Sequence, residues 1–165
     1  MSDLPEYLIG KILKDRDLKL VAAESCTGGL IGSRITDVQG SSEYFLGSVV
    51  AYAYEIKVSV LGVKWDTLNT YGAVSREAVI EMARGARKTL NGDIAISASG
   101  VAGPSGGTAE KPVGTTWLGL STPDGEWVRK FQFAGTREQN KASAATEALK
   151  FVLDYLHQNL SKEGA

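Results

Sequence analysis

The 165-residue sequence is poor in the residues most often used for metal binding and covalent catalysis. It contains one cysteine, Cys26, and one histidine, His157. A single cysteine excludes an internal disulfide, and without a Cys/His cluster the sequence has no pattern for a zinc site. A Ser-His-Asp triad or a Cys-His pair would depend on His157, which falls in the final turns of a predicted C-terminal helix, where we expect an exposed or capping role. We therefore predict neither arrangement. We therefore predict no metal site and a reducing, cytoplasmic location.

The sequence also lacks a basic excess and long apolar runs. It has 18 Lys and Arg residues against 19 Asp and Glu residues, a net charge of -1. A protein that neutralises phosphates along a nucleic acid needs more positive charge than this. No segment approaches the roughly 20 apolar residues of a membrane span, and residues 1–19 lack the apolar core of a signal peptide. We expect neither nucleic-acid nor membrane partners.

Hydrophobic periodicity and turn residues predict helices alternating with strands. Pro5 fits the first turn of a helix, Ser75 is a candidate N-cap, and Thr136 with Gln139 matches a capping box. The predicted strands are residues 19–23, 46–54 and 93–99, followed by two strands joined by a turn at 123–125. One predicted helix starts near Pro5, a second covers residues 30–38, and a third follows residue 54 and ends before Gly62. A fourth extends from Ser75 to residue 90, and a fifth starts at Thr136. The core face of the last helix is predicted as Ala145, Leu149, Val152, Leu153, Leu156 and Leu160.

This order of elements predicts the fold class. Helix-strand alternation followed by a hairpin favours a three-layer α/β/α sandwich, in which helices cover both faces of a mixed sheet containing one antiparallel hairpin. The length fits a single domain, and we assign it residues 1–165.

Polar clusters follow three of the predicted strands, where α/β proteins usually bind ligands. The first cluster, residues 24–29 (ESCTGG), is typical both of a capped turn and of a site whose glycines admit a ligand close to the backbone. The third, the glycine-rich residues 99–114, matches neither the phosphate-loop nor the dinucleotide pattern and fits a flexible connector equally well. Thr108 and Lys111 add only weak support for phosphate or sugar contacts there.

The second cluster surrounds Lys57. Strand periodicity places Tyr52 and Tyr54 on one face of the predicted strand, with Lys57 just after its end. A lysine is usually a solvated surface charge, but desolvation can lower its pKa enough to make it a general base. If Ser25 is a nucleophile, the absence of a suitable histidine leaves Lys57, with Tyr52 as a proton relay, as the best candidate set.

Five segments, in this order, resemble the CinA C-terminal domain family: AESCTGG, Tyr52 with Lys57, GAVS at 72–75, SGVAGPSGGTAEKPVGT at 99–115, and GTR at 135–137. Stand-alone members of that family are nicotinamide-mononucleotide deamidases. The resemblance implies the same three-layer fold and hydrolysis of nicotinamide mononucleotide, a small-molecule nucleotide substrate, to nicotinic acid mononucleotide and ammonia. It also implies that no metal or other cofactor is required. Members of that family commonly self-associate, so a homo-oligomer is a possible state that the sequence itself does not reveal.

The resemblance also implies residue roles. Ser25 would be the nucleophile, Lys57 its base and Tyr52 their partner, while Cys26 is interpreted as packing. The backbone of residues 27–29 would hold the oxyanion, the glycine-rich loop would line the nucleotide pocket, and Arg137 would bind phosphate. The implied substrate-binding residues are Thr27, Gly28, Gly29, Gly100, Ala102, Gly103, Thr108, Gly114, Thr115, Arg137 and Lys141.

The chain departs from the family pattern in two places. Ala53 and Tyr54 stand where the family usually has serine and asparagine, and Thr136 and Lys141 stand where it usually has aspartate and a second arginine. These departures motivate an alternative hypothesis, a catalytically altered nucleotide-binding or adaptor module of the same fold. Longer family members carry an N-terminal domain associated with nucleotide pyrophosphatase activity. Because the match begins almost at Met1, we expect no hydrolysis of ADP-ribose.

Overall fold

A five-stranded mixed sheet forms the centre of the protein. The structure, a computed structural model, describes residues 3–158 and 160. The strands lie in the order β2-β1-β3-β4-β5. Strand β1 pairs in parallel with both β2 and β3, whereas β4 pairs antiparallel with β3 and β5. The strands are β1 (Leu20–Glu24), β2 (Phe45–Val50), β3 (Ile94–Gly100), β4 (Thr115–Thr122) and β5 (Gly125–Gln132).

Helices cover both faces of this sheet. The helices are α1 (Pro5–Arg16), α2 (Leu30–Thr36), α3 (Tyr54–Ser59), α4 (Trp65–Tyr71), α5 (Arg76–Thr89) and α6 (Arg137–Leu156). Helices α1, α2 and α6 pack around one apolar core, and α4 and α5 contribute to a second core on the opposite face. Alternate residues of β1 enter the two cores, Leu20 and Ala22 the first, Val21 and Ala23 the second, as the two-residue period of a strand requires. The predicted three-layer α/β/α fold is confirmed.

Local signals in the sequence explain where several helices begin. Pro5 occupies the first turn of α1. The Ser75 hydroxyl accepts a hydrogen bond from the Ala78 N–H at 3.1 Å, and Thr136 with Gln139 forms the complete capping box of α6. Each interaction satisfies an N–H group that the helix itself leaves unpaired. Among the described residues, no helix is long and apolar enough to span a membrane.

The predicted core face of α6 is confirmed for the residues within the helix, whereas Leu160 lies beyond its end. Four of its residues are buried, while Leu153 and Leu160 are partly buried against the same core. The helix itself ends at Leu156, and His157 is its exposed C-cap residue. The four buried residues are Ala145, Leu149, Val152 and Leu156.

The sequence-based prediction was wrong about the end of β2. The strand was expected to reach Tyr54, but it ends at Val50, and Tyr54 is the first residue of α3. The β-favouring tyrosines are overridden because the chain leaves the sheet after Ala51, whose N–H donates to the Glu24 carbonyl at 2.8 Å. Lys57 therefore lies within a helix. Helix α4 was not predicted, because only Thr67 and Leu68 of its residues are buried and its apolar periodicity is weak.

Candidate active site

The carboxyl ends of β1, β2 and β3 bring the first two polar clusters and the start of the glycine-rich loop to one edge of the sheet. Glu24, the last residue of β1, pairs with Val50 of β2 and with Ala98 of β3. The next residue, Ser25, donates its N–H to the Ala98 carbonyl at 2.9 Å. Parallel pairing in register thus fixes the Ser25 backbone between the two neighbouring strands.

Ser25 and Lys57 are in direct contact. The Lys57 Nζ lies 3.0 Å from the Ser25 Oγ. The same amine donates hydrogen bonds to the carbonyl oxygens of Ala51 at 2.7 Å and Tyr52 at 3.0 Å. The turn between β2 and α3 therefore wraps around the amine, which is only 1% exposed, while Ser25 is 9% exposed.

Burial changes the protonation of Lys57. It lowers the pKa of the ammonium group from its ordinary 10.5 to about 8, because the charged form loses its water. A neutral amine has two N–H donors and one lone pair. The carbonyls of Ala51 and Tyr52 can accept the two N–H groups, which directs the lone pair at the Ser25 hydroxyl. This is the arrangement required of a general base next to its nucleophile.

Glu24 is a functional candidate that the sequence reasoning missed. Its carboxylate is fully buried and accepts four hydrogen bonds of 2.7 to 3.1 Å. The donors are the Thr27 and Ser48 hydroxyls and the N–H groups of Ile31 and Gly32. Glu24 thus connects residues 25–29, here called the Ser25 turn, to the start of α2 and to β2. No sequence signal identifies this role, because the donors become neighbours only after the chain has turned.

Cys26 is a packing residue in the structure. Its side chain is buried, and burial raises the pKa of the thiol to about 11. Since the thiolate is the reactive form of cysteine, this thiol is inert near neutral pH. Cysteine is the more reactive residue type, but in this environment the Cys26 thiol is less reactive than the Ser25 hydroxyl beside Lys57.

Some backbone N–H groups of residues 26–29 have no hydrogen-bond acceptor within the described part of the protein. Gly28 uses its N–H on the Ser25 carbonyl at 3.1 Å, whereas those of Thr27 and Gly29 donate to no acceptor among the described residues. Gly28 has φ +60°, a conformation that glycine adopts without strain. A Cβ at Gly28 would lie 3.7 Å from the Lys141 Nζ, so Lys141 reaches this turn from α6. The Thr27 hydroxyl is already used by Glu24.

Tyr52 contacts Lys57 through its backbone and a different partner through its side chain. The side chain is 62% exposed, and its hydroxyl accepts a hydrogen bond from Arg137 Nη2 at 3.2 Å. Among the described residues, this hydroxyl makes no hydrogen bond to Ser25 or Lys57. The direct contact between Ser25 and Lys57 leaves no gap that a relay through the phenol would have to bridge.

The glycine-rich loop is anchored to the beginning of α6. Arg137 Nη1 donates to the Gly103 carbonyl at 2.8 Å, and Asn140 Nδ2 donates to the Ala102 carbonyl at 3.0 Å. Arg137 therefore joins the loop to Tyr52. Asn140, which the sequence reasoning did not single out, is buried and completes the anchor. The loop is a fixed structure at this end and not a free connector.

Packing within the loop accounts for several of its conspicuous residues. A Cβ at Gly114 would collide with the Phe133 carbonyl oxygen, so glycine is required there. The Thr115 hydroxyl is 2.7 Å from the Pro112 carbonyl oxygen, and the Thr108 hydroxyl accepts the Lys111 N–H at 3.0 Å. Lys111 Nζ in turn donates to the Tyr71 carbonyl. Gly100 also lies in close contact, against Thr116 of β4.

A separate cavity of about 870 Å³ lies near the opposite end of the sheet. It is bordered by the β4-β5 turn, with Trp127 and Tyr155 among its lining residues. Its described lining contains no serine, cysteine or lysine, so it offers no nucleophile with a base. The described residues also contain no cluster of three or more His, Cys, Asp or Glu side chains that could hold a metal ion.

Comparison with known proteins identifies the family of this chain. The family model of the CinA C-terminal domain matches residues 4–156. The chain belongs to the CinA C-terminal domain family. It is 50% identical over 156 residues to a putative competence-damage inducible protein of Halothermothrix orenii, a match that covers 94% of this chain but only 38% of that relative.

Solved structures of the CinA superfamily have the same fold. A competence-damaged protein (CinA) superfamily protein from Klebsiella pneumoniae superposes with a TM-score of 0.90 at 31% identity, covering 93% of this chain and 96% of that one. The competence/damage inducible protein CihA from Agrobacterium tumefaciens gives a TM-score of 0.88 at 35% identity, covering 96% of this chain and 100% of that one. Fold and family thus agree with the resemblance found in the sequence.

Proposed function

We propose that this CinA-family domain is an amidohydrolase that converts nicotinamide mononucleotide to nicotinic acid mononucleotide and ammonia. The observation that carries the proposal is the 3.0 Å contact between the Ser25 hydroxyl and the buried Lys57 amine. A serine and a lysine arranged in this way are suited to acyl transfer without histidine or metal. The substrate follows from the family resemblance and not from the geometry of the pocket.

In the first half of the proposed reaction, Ser25 attacks the carboxamide carbon. The hydroxyl proton passes to the neutral Lys57 amine as the new C–O bond forms. Negative charge develops on the carboxamide oxygen, and the unpaired N–H groups of Thr27 and Gly29 are candidates to stabilise it. Lys57 then returns the proton to the departing nitrogen, the C–N bond breaks, and ammonia leaves an ester on Ser25.

In the second half, water hydrolyses this ester. Lys57 takes a proton from the water as it attacks the ester carbonyl carbon, and gives it back to the Ser25 oxygen as the bond breaks. The products are the free serine and the carboxylate of nicotinic acid mononucleotide. Because its pKa is lowered to about 8, the amine is partly neutral near physiological pH and can both accept and donate this proton.

Two cationic side chains are candidates to hold the phosphate of the nucleotide. Lys141 reaches the Gly28 turn, and the described residues offer its amine no hydrogen-bond acceptor. Arg137 already donates to Gly103 and Tyr52, so it retains only part of its hydrogen-bonding capacity for phosphate. We therefore assign Lys141 the main phosphate contact and Arg137 mainly the placement of the loop.

The proposal is tested by incubating the purified protein with nicotinamide mononucleotide and measuring ammonia and nicotinic acid mononucleotide. We expect Ser25→Ala to lower turnover at least about 1,000-fold, because it removes the nucleophile. Cys26→Ala, which changes the adjacent buried side chain, is the matched control and should retain activity. Equal turnover by Ser25→Ala and the natural protein would contradict the nucleophile assignment.

The same samples distinguish the alternative, a nucleotide-binding module without catalysis. That function predicts that nicotinamide mononucleotide raises the melting temperature, because it binds only the folded state, while no ammonia is released. It is motivated by Ala53, which leaves the N-terminus of α3 without a side-chain cap beside the catalytic pair. Release of ammonia that depends on Ser25 would exclude it.

A further inference from the structure

The Glu24 carboxylate is buried without a cationic partner. It is fully buried, and none of the ion pairs among the described residues includes it. Removing a carboxylate from water is costly unless its oxygens are hydrogen-bonded. An apolar side chain of similar volume would fill the same space without that penalty, so packing alone does not explain a carboxylate here.

Hydrogen bonds divide evenly between the two oxygens of this carboxylate. Its Oε1 accepts the Thr27 hydroxyl at 2.7 Å and the Ile31 N–H at 2.8 Å. Its Oε2 accepts the Ser48 hydroxyl at 2.7 Å and the Gly32 N–H at 3.1 Å. A carboxylate can accept all four because it has no donor of its own. Each oxygen therefore binds one side-chain hydroxyl and one backbone N–H group.

The two N–H groups lie at the start of α2, where Glu24 replaces a cap that this helix lacks. The N-cap residue, Gly29, has no side chain that could accept the first N–H groups. Leu30 and Ser33 donate their N–H groups to the carbonyls of Thr27 and Gly29, at 3.1 and 2.9 Å respectively. The two N–H groups between them in the chain are those that Glu24 accepts. Glu24 thus fixes the place where α2 begins.

The same contacts hold the free N–H groups of the Ser25 turn in place. Thr27 and Gly29 have N–H groups without an acceptor among the described residues. Every other polar group of these two residues is in use. The Thr27 hydroxyl is held by Glu24, and the two carbonyls are held by N–H groups of α2. The free N–H groups therefore cannot turn away without breaking one of these contacts.

We propose that Glu24 is a positioning residue, which holds Thr27 and the start of α2 so that the free N–H groups of Thr27 and Gly29 face the oxygen on which negative charge develops. Donors that are fixed in advance stabilise such a charge more than donors that must first reorient. The inference rests on the proposed role of Ser25 as the nucleophile, but not on the identity of its substrate.

The two hydroxyl donors provide a matched pair of variants. Thr27→Val and Ser48→Ala each remove one 2.7 Å hydrogen bond to Glu24, the first from the Ser25 turn and the second from β2. The measurement is the rate at which the full chain reacts with a fluorophosphonate, which tests Ser25 without its substrate. In that reaction the Ser25 oxygen bonds to phosphorus, the P–F bond breaks, fluoride leaves, and Lys57 takes the serine proton. Negative charge gathers on the phosphoryl oxygen, as it does on a carbonyl oxygen.

We expect the natural protein to be modified at Ser25, as identified by mass spectrometry. Thr27→Val should lower the second-order rate constant at least about tenfold, because displaced N–H donors stabilise less of the charge. Ser48→Ala should lower it less than about threefold, since the Ser25 turn keeps its own contacts to Glu24. Glu24→Gln should also slow the reaction at least about tenfold, because the amide presents donors where an N–H of α2 needs an acceptor. Circular dichroism at the assay temperature checks that each variant is folded.

Equal rate constants for Thr27→Val and Ser48→Ala would overturn the proposal, whether both fall or neither does. A purely structural role of Glu24 predicts that the two losses are alike. A natural chain that is not modified at Ser25 would overturn it as well, and so would a folded Glu24→Gln variant that reacts at the natural rate.

The same variants separate this inference from the proposed substrate. If the rate constants follow the expected order but nicotinamide mononucleotide releases no ammonia, the substrate proposal fails and the role of Glu24 stands. If ammonia is released, Thr27→Val should lower kcat at least about tenfold and change KM less than about twofold, as expected when stabilisation is lost only in the transition state. A rise in KM at unchanged kcat would contradict the positioning role.

Discussion

The Ser25 turn and the glycine-rich loop both follow strands of the sheet, and both contain several glycines. Glycine is needed in the two regions for different physical reasons. In the turn, a Cβ at Gly28 would meet only the flexible end of Lys141. In the loop, a Cβ at Gly114 would collide with the backbone of Phe133. The turn thus keeps open space at Gly28, beside a reactive pair, whereas the loop leaves no room for a side chain at Gly114. Glycine content by itself does not identify a ligand site.

The same contrast applies to the polar side chains. At the turn, Ser25 and Lys57 face each other without a carboxylate to neutralise the amine, so burial lowers the pKa of Lys57. In the loop, Thr108, Thr115 and Lys111 satisfy neighbouring backbone groups. We infer that the chemistry resides in the turn and that the loop contributes shape.

Among the variants that compare the turn with the loop, the largest expected effect comes from replacing the base. Lys57→Met should lower turnover of nicotinamide mononucleotide by at least about 100-fold, because no group remains to accept the Ser25 proton. Lys57→Arg should be equally inactive, since a guanidinium cannot lose its proton in a protein. Lys111→Met in the glycine-rich loop is the comparison variant, and steady-state kinetics should give it less than about a tenfold loss. Comparable losses for Lys57→Met and Lys111→Met would remove the distinction between the two regions.

The second expected effect is on stability, and it should be larger for the glycine-rich loop than for the Ser25 turn. Gly114→Ala should lower the free energy of unfolding by about 3 kcal/mol, because the added methyl group forces the backbone apart. Gly28→Ala should cost about 1 kcal/mol, the price of a left-handed conformation without a clash. Urea denaturation of both variants measures the difference. If Gly28→Ala were the more destabilising, our account of the two sets of glycines would be wrong.

The smallest effect concerns Ala53, the N-cap residue of α3. Its side chain makes no capping hydrogen bond, and its backbone is already extended as a cap requires. Ala53→Ser should therefore stabilise the protein by about 0.5–1 kcal/mol. Because α3 carries Lys57, turnover should stay equal or rise slightly. A lower melting temperature for Ala53→Ser would mean that the start of α3 has another constraint.

Most of the fold could be predicted because its signals are local. Pro5, Ser75 and the Thr136 capping box mark helix starts, and apolar runs mark the buried strands. The end of β2 could not be predicted, since Tyr52 and Tyr54 favour a strand and only the tertiary arrangement around Lys57 turns the chain into a helix. Helix α4 was missed because few of its residues are buried.

The candidate site could also be predicted from the sequence only in part. Ser25 and Lys57 could be proposed as a pair from residue chemistry and family resemblance, but not their direct contact. Glu24 accepts hydrogen bonds from backbone groups 7 and 8 residues away, and Asn140 donates to one 38 residues away, so no common spacing rule reveals the two roles. The hydrogen bond between Arg137 and Tyr52, which occupies the tyrosine hydroxyl and part of the guanidinium, could not be predicted from the sequence either.

The most direct test of the central claim is the pH dependence of kcat/KM for nicotinamide mononucleotide, measured from about pH 7 to about pH 10. This range lies above the phosphate ionisation of the substrate, near pH 6. Lys57 must be neutral to accept the Ser25 proton, so kcat/KM should rise with pH and level off above an apparent pKa of about 8. A profile that is flat across this range, or that falls as the pH rises through 8, would contradict Lys57 as the base that activates Ser25.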